Sequence, residues 1–198
     1  MGNGDEDLNE TNSIKQLENE QEYAASLADA RITAENYVLD RFDVVSKMNA
    51  SSCAVPFEEV LDVAAHDLDF HSAIWEASTV ILPNLEVQVV IDAHNKCYVT
   101  TGSAGYVGEE WEKGLNLPLG LRLPIRCWIH THPFGSAYFS GTDISTVTRF
   151  QPIMEQAYVL GGEGHYGFWE QSRPEELDVY NEGSLDYTQR WGVMGEEE

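Results

Sequence analysis

His130 and His132 flank a single residue just ahead of Pro133, and Ser140 and Asp143 follow within one short loop. Side chains at i and i+2 of an extended segment point to the same face, so both imidazoles can reach one ion. With the carboxylate of Asp143 they make a three-ligand set that leaves a zinc ion one position for water. Such an ion lowers the pKa of its water to about 7 and polarises a bound carbonyl, which is hydrolase chemistry. No H-E-x-x-H and no G-x-x-x-x-G-K-[ST] occurs in the chain, which argues against a zincin-type protease and a P-loop nucleotide site.

A strand must carry the histidines and a helix must carry the aspartate. Ile125 to His130 predicts that strand, Pro133 ends it, and Gly135 and Ser136 let the loop turn back. Ser140-x-x-Asp143 reads as a helix cap with an acid at the third position, and the helix should stop near Pro152. A cap does not exclude ligation, because it fixes Asp143 on the rigid first turn. Upstream, Pro56 to about Leu68 predicts a helix. Thr79 to Leu82, Val87 to Ala93 and Tyr98 to Thr101 read as strands, and Trp111 to Gly120 as a mixed segment with a short helix. Ala157 to Leu160 and Tyr166 to Glu170 read as two further strands joined by a glycine-rich hairpin at 161–164. Ser13 to about Met48 has helical periodicity over one long helix or two shorter ones, whereas residues 1–12 lack apolar anchors and are expected to be disordered. Asn49 to Ser52 reads as a linker. The expectation is an α/β layered domain over 51–175, a helical extension over 1–50 that covers the domain or self-associates, and an acidic tail over 176–198.

Thirty-four acids against eleven bases give the 198-residue chain a net charge of -23 and a pI near 4.3. That field repels phosphate backbones and anionic membranes, so neither nucleic acid nor membrane is an expected partner. Acid-rich, lysine-poor composition fits a high-salt cytosol, and acidic ends offer a second source of the charge. Cys53, Cys97 and Cys127 are odd in number and widely spaced, which points to a reducing compartment and buried thiols. Without an apolar run of spanning length or a signal-peptide pattern, the expectation is a soluble cytoplasmic protein.

His130-x-His132-Pro133, six residues, Ser140, two residues, Asp143 resembles the signature of the JAMM (MPN+) metalloprotease family. The local text Trp128-Ile129-His130-Thr131-His132-Pro133 is similar to its AMSH-type deubiquitinases. The resemblance implies a curved mixed β-sheet flanked by helices, similar to the cytidine deaminase fold. It implies one catalytic Zn2+ held by His130, His132 and Asp143, with Ser140 steadying the oxyanion. It implies cleavage of isopeptide bonds to ubiquitin or a ubiquitin-like protein. The family also needs an upstream glutamate as general base. Glu76 is the first choice, since it follows the first domain helix and precedes an apolar run, and the neighbouring Trp75 would raise its pKa by desolvation. Glu86 is the next candidate and Glu59 the third. The small residues and glycines that usually follow this glutamate are replaced here by Ala77-Ser78-Thr79. The second, structural zinc of the AMSH-type branch is not expected, because only His165 lies downstream of Asp143.

The remaining candidates have plainer readings. His66, Asp67, Asp69 and His71 look like a solvated helix end, His94 like a turn residue, and Cys127 like a core thiol. Trp111, Leu115, Leu117, Leu119 and Leu121 precede the motif strand. They fit core packing, or by the resemblance a grip on the extended tail of the modifier. Two competing functions stay open: a non-catalytic scaffold of the same fold, and a RadC-like DNA-repair-associated protein, against which the negative charge weighs.

Overall fold

The computed structural model describes residues 4–52, 65–102, 118–162 and 166–173. The helix start at Pro56, residues 111–117, the hairpin tip at 163–165 and the acidic tail lie outside these. The domain is built on a five-stranded mixed sheet in the order β2-β1-β3-β4-β5. Its strands are β1 (Val87–Asp92), β2 (Cys97–Thr101), β3 (Ile125–Thr131), β4 (Met154–Leu160) and β5 (Tyr166–Glu170). All neighbours are antiparallel except β3 and β4, which run parallel and are joined by helix α3 (Gly141–Phe150) and a 3-10 turn (Gln151–Ile153). A parallel pair needs such a crossover, and this one brings the start of α3 beside the end of β3.

The sheet separates two apolar layers. Val87, Val89, Ile91, Cys127, Ile129, Tyr158, Leu160, Tyr166 and Phe168 face helices α1 (Gly4–Ser52) and α2 (Leu68–Glu76). Val90, Trp128, Ala157, Val159 and Trp169 face Val147 and Phe150 of α3. The period-2 alternation of these strands thus assigns every second side chain to each layer.

Helix α1 is one continuous element about 70 Å long at 1.5 Å per residue. It includes residues 4–12, which sequence alone left without regular structure. A helix satisfies its backbone bonds internally. Its buried stripe, Ala34, Val38, Phe42 and Val45, begins only in its second half, and Leu17, Tyr23 and Ile32 are exposed. Asn49 and Ala50 continue the helix where a linker was expected.

Helix α2 starts at an Asp67 cap whose Oδ1 accepts from the Asp69 and Phe70 amides, so it begins at the point where the sequence suggested an end. The run Thr79 to Leu82, read as a strand, is a π-helical turn (Ala77–Ile81) continuing α2, closed by Leu82 N–H donating to Ala77 O at 3.0 Å. Short β-branched runs do not distinguish strand from buried helix, and here Thr79 Oγ1 bonds back to Trp75 O. His71 is buried rather than solvated. Its Nε2 lies 2.7 Å from Ala65 O and its ring packs on Tyr158 and Tyr166. His94 is in the β1–β2 turn, where buried Asp92 accepts from the His94 and Lys96 amides.

Candidate metal centre

Thr131 ends β3, so His130 sits inside the strand and His132 one residue beyond it. The His132 amide still donates to Leu160 O at 2.8 Å, which holds that residue to the end of β4. Both imidazoles therefore leave the sheet on the α3 side. His130 stacks on Trp128 (centroids 4.4 Å, planes 14° apart), and Trp128 Nε1 donates to Gln88 Oε1 at 3.1 Å. The loop after Pro133 returns along the sheet edge because Gly161 leaves room for it. A Cβ on Gly161 would stand 2.5 Å from the Ala137 backbone nitrogen.

That loop delivers Ser140 as the N-cap of α3. Ser140 N–H donates to Asp143 Oδ2 at 2.7 Å, and Asp143 N–H donates to Ser140 Oγ at 3.3 Å, a complete capping box. The cap aims Asp143 at both rings: Oδ1 is 3.1 Å from His130 Nε2 and Oδ2 is 3.3 Å from His132 Nε2. One ligand atom from each of the three residues lies within 4.8 Å of the others, so the cluster could hold a metal ion. It is enclosed, with His130 and Asp143 buried and His132 half-buried. His130 Nε2 is shielded from solvent and, despite the close carboxylate, is not aligned for a hydrogen bond to it. Among the described residues both ring nitrogens of His130 are buried without an aligned partner, an orphaned polar group that a cation between the three residues would satisfy.

The electrostatics agree. Burial would raise the Asp143 carboxyl, but the imidazoles of His130 and His132 and the contact with Ser140 outweigh it and hold the group well below the usual carboxylate range. Burial would lower the His132 imidazole, yet Asp143, and then Glu86, shift it upward on balance.

The two leading glutamates part company here. Glu76 ends α2, which packs on the opposite face of the sheet, and its Oε2 accepts from Tyr37 Oη of α1 at 2.5 Å. It is exposed and belongs to the helical layer, so the first choice of base is corrected: the sheet stands between it and the histidines. Glu86 is buried at the start of β1. Gln88 pairs with His130, and the antiparallel register carried back two residues sets Glu86 opposite His132. Gly102 N–H donates to Glu86 O at 2.9 Å, so the β1–β2 ladder extends to this residue. Glu86, Gln88, Trp128, His130 and His132 thus share one face. Strand alternation could have found Glu86, because only even positions of β1 can face the histidines once β1 pairs with β3. Glu59 lies outside the described residues. Gln88 and Trp128 were missed, since neither type signals a site without the pairing.

No protein-family model matches the chain, and comparison with curated proteins gives no match. What this cluster can do follows from its own atoms. It offers two imidazole nitrogens, one carboxylate held ionised, and a second buried carboxylate on the same face.

Proposed function

We propose that the protein is a zinc-dependent isopeptidase that releases ubiquitin or a ubiquitin-like modifier from conjugated lysines. The observation that carries the reading is the convergence of His130, His132 and Asp143 with Glu86 on one sheet face. One ligand atom from each of the three residues lies within 4.8 Å of the others, close enough for all three to reach a single ion with bonds of about 2.0–2.2 Å. When bound, zinc supplies a Lewis acid for the scissile carbonyl and a water of lowered pKa in the remaining position.

The chain's own residues supply the rest. His130 and His132 present Nε2, with His130 fixed by its stack on Trp128. Asp143 is rigid because the capping box uses its side chain as well as its amide. Glu86 is the acid–base group, taking a proton from the nucleophile and returning one to the leaving lysine amine. The Ser140 hydroxyl, which accepts from the Asp143 amide at the start of α3, is the group that would donate to the developing oxyanion. The preference for a ubiquitin-like conjugate rests on the resemblance of the motif to JAMM proteases. Exposed apolar residues on α1 are compatible with self-association as part of the same reading.

The test is cleavage of isopeptide-linked ubiquitin-like conjugates by zinc-loaded protein. Chelation should stop it. Glu86→Gln should lower kcat by about 10²–10⁴-fold, the usual weight of a general acid–base group. Glu76→Gln should remain close to wild type. Chelator-resistant cleavage would remove the metal, and full activity in Glu86→Gln would remove the base.

A further inference from the structure

Two buried hydroxyls on the opposite face of the sheet form a closed circuit around Glu86. Val87 N–H donates to Thr131 Oγ1 at 2.9 Å, Thr131 Oγ1 donates to Ser78 Oγ at 2.9 Å, and Ser78 Oγ donates to Leu85 O at 2.6 Å. Leu85 O belongs to the peptide unit before Glu86, and Val87 N to the one after it. Both peptide planes that set the φ and ψ of Glu86 are therefore held by one run of bonds pointing in a single direction. Ser78 and Thr131 are fully buried, beside Ala77, Val87 and Ile129.

We propose that Ser78 and Thr131 are positioning residues that hold Glu86 at a fixed height over the metal centre. The proposal rests on the reading of Glu86 as the acid–base group. Thr131 is the residue between the two ligand histidines, so β3 presents His130 and His132 on one face and grips the backbone of Glu86 from the other. The base and two ligands are thus indexed to the same three-residue stretch. A hydroxyl in an apolar layer costs stability unless every bond is made, and here each oxygen both accepts and donates. Thr131→Val and Ser78→Ala would fill nearly the same space but release the Leu85 carbonyl and the Val87 amide, leaving the Glu86 backbone tethered on the β2 side through Gly102 N–H. A shift of even about 1 Å weakens acid–base catalysis severely. The π-helical turn is what brings Ser78 to this point, since it carries the chain from α2 back over the end of the sheet.

The test uses full-length protein stripped by chelator and reloaded with one equivalent of Co2+, whose visible bands report the metal's surroundings without a substrate. Glu86→Gln should move the midpoint of the pH-dependent change in those bands. Thr131→Val should move it in the same direction while still binding cobalt, Thr131→Ser should return it to wild type, and Ser78→Ala should reproduce Thr131→Val. If Thr131→Val and Ser78→Ala lower thermal stability but keep the wild-type midpoint while Glu86→Gln moves it, the two hydroxyls only satisfy buried backbone and the proposal is overturned. If Glu86→Gln itself leaves the midpoint in place, Glu86 does not reach the metal's open side and the base assignment falls, with the positioning role after it. Should Thr131→Val fail to fold, Ser78→Ala against Glu86→Gln decides alone.

Discussion

Acidification should destabilise this protein through one histidine remote from the metal centre. His71 is enclosed on the sheet-facing side of α2, with one ring nitrogen on Ala65 O and Nδ1 buried without a partner among the described residues. Burial pushes its pKa down from 6.5 to about 4, with His66 adding to the effect and Ala65 O opposing it. The unfolded chain takes up this proton near pH 6.5 and the folded chain only near pH 4, so between these values the unfolded state binds more protons. Stability from neutral His71 is therefore complete above pH 6.5 and is lost as pH falls toward 4. Integrated between about pH 7.5 and 5.0, the loss is about 2 kcal/mol. The lower limit stays above the pI of about 4.3, where the protein keeps negative charge. The perturbation is His71→Phe, which keeps an aromatic ring against Tyr158 but cannot titrate. It should cost about 1 kcal/mol at neutral pH for the lost hydrogen bond. Urea unfolding of both proteins at the two pH values isolates the term, because the many surface carboxylates cancel in the difference. Wild type should lose about 2 kcal/mol more than the variant. Parallel losses would show that His71 is already solvated or already charged in the fold.

The candidate metal centre and its loop give three further expectations. Zinc added to chelator-stripped protein should raise stability by about 4 kcal/mol at a thousandfold excess over Kd, read by thermal shift, and Asp143→Ala should abolish the rise. Because His132 must lose a proton to bind metal and its pKa is raised, zinc affinity should fall as pH drops through that value, by about tenfold per unit in a calorimetric titration. Gly161→Ala should destabilise the fold by about 1–3 kcal/mol in chemical denaturation, since its Cβ would meet the Ala137 backbone rather than a movable side chain. A neutral result there would mean the 133–139 loop is not seated on β4.

The candidate ligand cluster was legible because its chemistry and its spacing are local. Two imidazoles one residue apart on a strand share a face by the pleat alone, and Ser140-x-x-Asp143 declares its own cap, which forms as expected. The strands read at Val87 to Ala93, Tyr98 to Thr101, Ala157 to Leu160 and Tyr166 to Glu170 were likewise written in their apolar runs and form within three residues of those bounds. The run at Thr79 was misread because β-branched composition was taken at face value where α2 simply continues. His71 was misread because helix ends are usually wet, and here the end is covered by Tyr158 and Tyr166.

Taken alone, the amino-acid order determined which side chains could bind a cation and on which elements they ride, since periods of 2 and 3.6 residues are properties of the backbone itself. It could not choose between Glu76 and Glu86. That choice depends on which face of the sheet each carboxylate occupies, and the face was decided only when β1 paired with β3 in the register that sets Gln88 against His130. A slip of one residue would have turned Glu86 away from the histidines, and no local propensity forbids such a slip; the packing of the two apolar layers does.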